Sequence, residues 1–169
     1  MTASGRELDG DYLRPVYYTY DELGRLSRKE MGDGPDNIGD IAFDYDIHGW
    51  TTDIEARNNW EQVPVFGETL RYASPQKPGS TARFDGNISE ITYASYNGTS
   101  TPSTDTYGYA YDELKRLTDA VHYAGNAASP VNTKTERNIT YDRGGNITGL
   151  DRYGASGLSE MLSSVQSWD

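Results

Sequence analysis

The sequence predicts an all-β protein with little or no helix, built from repeated antiparallel β-hairpins in a curved or spiralling sheet. Hydrophobic residues make up only 35% of the 169 residues, and aromatic residues account for 12%. Tyrosine occurs 14 times and glycine 18 times. A chain so poor in aliphatic residues must bury aromatic side chains, which favour strands. One short motif also recurs along the chain, as expected of a repeat architecture.

The recurring motif is an aromatic residue, an aspartate, two variable residues, usually a glycine, a polar or bulky residue, and an apolar residue or threonine. Four copies are nearly complete, at 20–26, 45–51, 111–117 and 141–147, and a compressed copy at 84–88 lacks two turn residues. The residues that define the copies are Tyr20, Asp21, Gly24, Arg25, Tyr45, Asp46, Gly49, Phe84, Asp85, Asn87, Tyr111, Asp112, Arg116, Tyr141, Asp142, Gly145 and Asn146. They are interpreted as structural residues.

Each copy has the pattern of a β-hairpin. Aromatic and β-branched residues alternate before the turn, as in Ile41, Phe43 and Tyr45, and a period of two places them on one face of a strand. The aspartate can accept hydrogen bonds from the backbone ahead of it, and the glycine supplies the left-handed conformation of a bulged turn. Lys115 replaces that glycine in the fourth copy, so we expect about 1 kcal/mol of strain there.

The copies divide the chain into three parts. Residues 1–15 are predicted to be a tail or a first edge strand. Residues 16–153 form the repeat sheet, with copies near 16–30, 41–55, 82–94, 107–123 and 138–153, joined by polar connections rich in Gly, Pro, Ser and Thr. Residues 154–169 are either the start of a further repeat or a short helix, because Leu158, Met161, Leu162 and Val165 have helical spacing.

Charge and composition exclude several classes of function. The formal net charge is −11, whereas binding to nucleic acid or to an anionic membrane needs clustered Lys and Arg. The absence of cysteine removes disulfides and thiolate metal sites. Residues 1–15 lack the pattern of a signal peptide, and no stretch approaches the ~20 apolar residues of a membrane span.

The motif copies resemble the YD (Rhs) repeat family. The resemblance rests on Tyr-Asp-Glu-Leu-Gly-Arg-Leu at 20–26, Tyr-Asp-Glu-Leu-Lys-Arg-Leu at 111–117 and Tyr-Asp-Arg-Gly-Gly-Asn-Ile at 141–147. It implies a shell-forming sheet like that of Rhs polymorphic toxins, toxin-complex cocoon subunits and teneurins, which encloses or displays a toxin, effector or adhesive domain. This chain would then be a segment of a longer cell-surface or secreted protein. Its partners would be further repeats, or other copies that pair through open sheet edges.

A carbohydrate-binding module is the alternative function. Exposed aromatic rings can serve as platforms for sugar rings, and Trp60, in a polar stretch, and Trp50 are the candidate contacts with a surface polysaccharide. The tyrosine and phenylalanine residues of the repeats are expected instead to pack inward and replace the missing aliphatic residues.

Enzymatic chemistry is not expected. Asp44, Asp46 and Glu55 partly match a calcium loop, but the template requires flanking helices and His48 stands at a ligand position. The turn aspartates could be paired acid and base groups, although turn geometry already explains them. His48 and His122 have no evident acid or nucleophile partner. No catalytic residue, metal ligand or cofactor site is therefore assigned.

Overall fold

A computed structural model describes residues 2–4, 15–32, 38–58, 63–96, 101–131, 133–154 and 159–163. The twelve strands are β1 (Thr2–Ser4), β2 (Val16–Tyr20), β3 (Leu26–Met31), β4 (Gly39–Tyr45), β5 (Thr51–Asn58), β6 (Val63–Arg71), β7 (Glu90–Ser95), β8 (Ser103–Tyr111), β9 (Leu117–Ala124), β10 (Thr135–Tyr141), β11 (Ile147–Tyr153) and β12 (Ser159–Ser163). Their order in the sheet is their order in the chain. The described residues contain no helix, so the all-β fold of consecutive antiparallel hairpins is confirmed. The curvature of the sheet stays a prediction.

The chain divides into two compact units, which are described separately. The first comprises residues 1–69 and 93–103, and the second comprises residues 70–92 and 104–169.

In the first unit, the pair formed by β4 and β5 has one apolar and one charged face. In the register between β4 and β5, Phe43 pairs with Ile54 and Ile41 pairs with Ala56, and directly opposed residues point to the same face. The alternate pairs include Asp40 with Arg57. Asp40 is only 3% exposed, because the charged face folds side chains such as Arg28, whose Nε lies 3.2 Å away, over its carboxylate.

The second unit has a core that is largely polar. Its buried hydrophobic residues are Ile91, Ala120, Tyr123 and Ile139, and its buried polar residues are Ser89, Glu90, Thr106, His122 and Thr135. Buried polar groups are costly unless they are hydrogen-bonded. Several of these groups bind the long connections to the sheet: the Oε2 atom of Glu90, for example, accepts the N–H groups of Gln76 and Lys77.

The ends of the chain add strands to the sheet. Thr2–Ser4, as β1, pairs with β2, whereas the expectation of a tail or a first edge strand over residues 1–15 as a whole stays a prediction. β12 pairs with β11, and Leu162 lies opposite Leu150. The short helix considered for the C-terminal segment is therefore wrong over Ser159–Ser163. This segment forms a strand in spite of the helical spacing of its apolar residues, because the backbone of β11 provides hydrogen-bond partners.

Candidate functional site

The turn of the first motif copy is stabilised by the side chain of Asp21. Its Oδ1 accepts the N–H groups of Leu23 at 2.9 Å and Arg25 at 2.8 Å, and its Oδ2 lies 2.6 Å from the Arg25 Nε. The Asp21 N–H donates to the Arg25 carbonyl, and the Gly24 N–H donates to the Asp21 carbonyl. Gly24 has a φ of +78°. This is the predicted hairpin turn with a glycine bulge.

The other full copies repeat this geometry. The backbone pairs that close them are Asp46 with Trp50, Asp112 with Arg116 and Asp142 with Asn146. The third turn position has φ values of +84° at Gly49, +66° at Lys115 and +86° at Gly145. Lys115 thus adopts the left-handed conformation that its place in the motif predicts.

The hydrogen bonds at the turns favour charged aspartates. The N–H groups of Arg25 and Arg116 hold the pKa of Asp21 and that of Asp112 below the ordinary value of 3.8, and their guanidinium groups add to this effect. The Asn146 amide does the same for the pKa of Asp142. Burial tends to raise the pKa of Asp46, but hydrogen bonds from Trp50 and His48 outweigh it and lower that pKa. Each carboxylate is engaged within its own turn, so none of the contacts described makes two of them an acid–base pair.

The arginine of the first hairpin also binds the second hairpin. Nη1 of Arg25 donates to the Asp46 carbonyl at 3.0 Å, and the guanidinium lies 4.7 Å from the centroid of the Tyr45 ring. The Tyr45 hydroxyl donates back to the Leu26 carbonyl at 2.8 Å. We call this set of three contacts the inter-hairpin clamp.

The same clamp joins the fourth copy to the fifth. Nη1 of Arg116 donates to the Asp142 carbonyl at 3.3 Å, and its guanidinium lies 4.5 Å from the centroid of the Tyr141 ring. The Tyr141 hydroxyl donates to the Leu117 carbonyl at 2.7 Å. The clamp is therefore a repeated feature that links one motif to the next.

The compressed copy builds a variant of the clamp from a different residue. The Tyr111 hydroxyl donates to the Ile88 carbonyl at 2.7 Å, which is equivalent to the bonds that Tyr45 and Tyr141 make with the carbonyls of Leu26 and Leu117. The position equivalent to Arg25 is held by Asn87, and the cation over the Tyr111 ring comes from Arg83, at 5.1 Å. Arg83 in turn forms an ion pair with Asp85 at 2.5 Å. The sequence gives no local signal for this exchange, because Arg83 precedes the motif.

Some predicted aromatic positions do not pack inward. Tyr20 is 53% exposed and Phe84 is 77% exposed, whereas Tyr45, Tyr111 and Tyr141 are partly buried against the preceding hairpin. Inward packing was therefore wrong for the first two. Their rings lack a clamp arginine among the described residues.

The two tryptophan candidates for sugar binding have different outcomes. Trp50 is partly buried, and its ring stacks on His48 with centroids 4.6 Å apart. Trp60 lies outside the described residues. In the second copy Trp50 occupies the position that Arg25 holds in the first.

The calcium-loop interpretation finds no supporting geometry. Asp44 and Asp46 end a strand and begin a hairpin turn, and the Oδ1 atom of Asp46 accepts the N–H groups of His48 and Trp50. Across the described part of the chain, no group of three or more His, Cys, Asp and Glu residues could hold a metal ion.

His122 has an acid partner that sequence reasoning missed. It is 2% exposed, with Nε2 2.6 Å from Oδ1 of Asp105 and Nδ1 2.7 Å from the Thr133 carbonyl oxygen. Burial tends to raise the pKa of Asp105, but hydrogen bonds from His122 and Lys134 hold that pKa below its ordinary value. The register of the hairpin could have indicated this pair. Counting back from the turn at Asp112 places Tyr107 opposite His122. Asp105 lies two residues before Tyr107, on the same face of the strand and therefore close to His122. The cluster attaches the connection after β9 to the sheet.

No protein-family model matches the chain, and no curated protein matches it. Within the described ranges, no helix is long and apolar enough to cross a membrane.

Proposed function

We propose that this chain is a non-enzymatic structural segment of a larger YD-repeat (Rhs) protein at the cell surface or outside the cell. In that role the repeats scaffold or enclose a separate effector or adhesive domain. The inter-hairpin clamp is the observation that carries the proposal. The charged side chains of the motif bind the neighbouring motif, as in the contact of Arg25 with the Asp46 carbonyl, and such contacts can be extended from copy to copy.

Tyr20 is the proposed acceptor for a further repeat. Its ring is 53% exposed, while the rings of Tyr45 and Tyr141 each lie beneath an arginine of the preceding hairpin. An upstream hairpin of the same kind would cover Tyr20 and bind the Asp21 carbonyl. Its arginine would supply the cation–π contact, worth about 0.5–1 kcal/mol at an exposed site.

The sheet register shows where such an arginine would have to stand. Between the first two copies, Arg28 pairs with Ala42. Arg25 lies three residues before Arg28 and Tyr45 lies three residues after Ala42, so the antiparallel register places Arg25 opposite Tyr45. Ala3 pairs with Tyr17, which likewise precedes Tyr20 by three residues. The equivalent arginine therefore lies three residues before Ala3.

A grafted hairpin tests this arrangement. A second copy of residues 16–25 joined directly before Met1 places its terminal arginine at the required position. We expect the free energy of unfolding to rise by about 1 kcal/mol relative to the same graft ending in glutamine. Equal stability of the two grafts would contradict the proposed repeat-to-repeat contact.

Two further measurements test the role of the segment. An antibody against this chain should label intact producing cells or their medium, and labelling confined to lysed cells would contradict the proposed location.

Glycan-array binding that Trp50→Ala abolishes would instead support a carbohydrate-binding module.

A further inference from the structure

The second unit contains a cavity that the clamps do not use. Its volume is about 360 Å³, and residues that line it include Pro78, Ser80, Ala110, Asp119, Val121 and Arg137. Ligand sites in proteins begin at about 300 Å³ and combine apolar walls with a few polar groups. This cavity has both properties.

Contacts between two connections and the sheet fix the cavity walls. The Tyr123 hydroxyl donates to the Pro78 carbonyl, and the Lys77 N–H donates to Oε2 of the buried Glu90 at 2.6 Å. Nζ of Lys77 also donates to the Ala127 carbonyl at 2.9 Å. The two connections are thus joined to each other as well as to the sheet, so the walls are preorganised.

The floor consists of strand residues with short side chains. Gly108 lies directly beneath Ser80, because a Cβ atom on Gly108 would stand 2.2 Å from the Ser80 Oγ. Ala110 lies beside Asp119 in the register between β8 and β9. The small side chain of Ala110 leaves space in the cavity next to Asp119.

Arg137 and Asp119 place opposite charges at this floor. Ala120 pairs with Glu136, so the antiparallel register sets Asp119 opposite Arg137 on the neighbouring strand. Oδ1 of Asp119 is 3.4 Å from the Asn138 N–H. Nε of Arg137 and Oγ of Ser80 are buried without a hydrogen-bond partner among the described residues. An arginine and an aspartate that line one cavity from neighbouring strands suit a ligand that carries both charges.

We propose that this cavity binds a free α-amino acid with a small apolar side chain. The Arg137 guanidinium receives the α-carboxylate, for which its planar donors are suited. Asp119 receives the α-ammonium group, and Val121, Ala110 and Pro78 enclose the side chain. A simple carboxylic acid would offer no ammonium group to Asp119, and a simple amine would offer no carboxylate to Arg137.

Calorimetric titration of the full chain with L-valine tests the proposal. We expect saturable binding, with 3-methylbutanoate, which lacks the ammonium group, and 2-methylpropylamine, which lacks the carboxylate, each binding at least about tenfold more weakly. Absence of saturable binding by L-valine up to its solubility limit would overturn the proposal. Equal affinity for L-valine and either analogue would overturn it too.

Three substitutions test the location of the site. Arg137→Gln and Asp119→Asn should each weaken L-valine binding by about tenfold or more, and Ala110→Leu should block it by filling the floor. Arg152→Gln is the matched control, because Arg152 pairs with Glu136 outside this cavity. Circular dichroism and thermal unfolding establish that each variant folds. Unchanged affinity in a folded Arg137→Gln variant would place any binding elsewhere and contradict the proposal.

Discussion

The guanidinium of Arg116 lies 4.5 Å from the centroid of the Tyr141 ring, in the hairpin that follows its own along the chain. The same arginine forms an ion pair with Asp112 at 2.7 Å, so one side chain both closes its own turn and contacts the next. The turn-closing contact is local, whereas the contact with Tyr141 spans two copies of the motif. Arg25 forms the same pair of contacts with Asp21 and Tyr45.

Arg116→Gln should lower the free energy of unfolding by about 1–2 kcal/mol. The substitution removes the partly exposed cation–π contact with Tyr141, the hydrogen bond to the Asp142 carbonyl and the solvent-screened ion pair with Asp112, and each of these contributes of order 0.5–1 kcal/mol or less. Urea unfolding monitored by intrinsic fluorescence measures the change. Arg143→Gln is the control, since Arg143 is an exposed turn residue and should change stability by less than about 0.5 kcal/mol.

A double-mutant cycle shows whether the clamp acts through Tyr141. Arg116→Gln and Tyr141→Leu should be less destabilising together than the sum of their separate effects, because the first substitution has already removed the contact with the ring. Strict additivity would contradict a direct interaction between the two side chains.

Lys115→Gly should stabilise the protein by about 0.5–1 kcal/mol. Lys115 has a φ of +66°, and the left-handed conformation costs a residue with a Cβ about 1–2 kcal/mol; the greater freedom of glycine in the unfolded chain offsets part of the gain. Its ion pair with Asp85 is exposed and contributes little. Thermal unfolding measures the difference.

Gly24→Ala is the matched reverse change. A Cβ atom at Gly24 would meet no atom within 4 Å, and its φ is +78°, so the substitution adds backbone strain without a clash. We expect a loss of about 1 kcal/mol. If both variants left stability unchanged, the turn conformation would not be the one described.

The sequence predicted the features that depend on neighbouring residues. The aspartate-capped turn at Asp21 and the left-handed Lys115 follow from spacing within a single motif, because hydrogen bonds between residues two to four apart are set by local geometry. Burial of Glu90 could not be predicted in this way. Its partner Arg71 ends β6, and its partner Gln76 lies in the following connection, which has no periodic pattern. Only the folded arrangement brings the three residues together.

The clamp could be predicted only in part. Arg25 and Tyr45 each hold motif positions, but spacing along the chain does not show that the side chain of one lies on the ring of the other. The expectation that motif tyrosines form an inward core failed at Tyr20 because burial depends on a neighbouring hairpin rather than on strand phase. The use of Arg83 in place of a motif arginine could not be predicted either, because its contact with the Tyr111 ring joins residues that are distant in the sequence.

Glu90→Gln should destabilise the protein by about 2–4 kcal/mol. The Glu90 carboxylate is 1% exposed, accepts the N–H groups of Gln76 and Lys77, and lies 3.1 Å from Arg71 Nη1. The glutamine amide cannot accept hydrogen bonds at both ends, and the partly buried Arg71 loses its countercharge. Hydrogen exchange should also accelerate in residues 73–82. Glu136→Gln, at a more exposed ion pair with Arg152, is the control, and an equally large loss there would contradict the importance of burial.

Stability should fall as the pH drops below about 4. The pKa values of Asp21, Asp112 and Asp142 are held below 3.8 in the folded protein, whereas an unfolded aspartate has a pKa near 3.9. The unfolded chain therefore binds more protons in this range, so the stabilisation is fully present above about pH 4 and is lost as the pH falls through the folded values. Urea midpoints measured from about pH 7 to pH 2.5 follow this loss. Asp112→Asn keeps the side-chain oxygen but removes the charge, so it should be less stable at neutral pH and have a shallower acid dependence. A wild-type midpoint that stayed constant down to about pH 2.5 would show that the turn carboxylates do not contribute as charged groups.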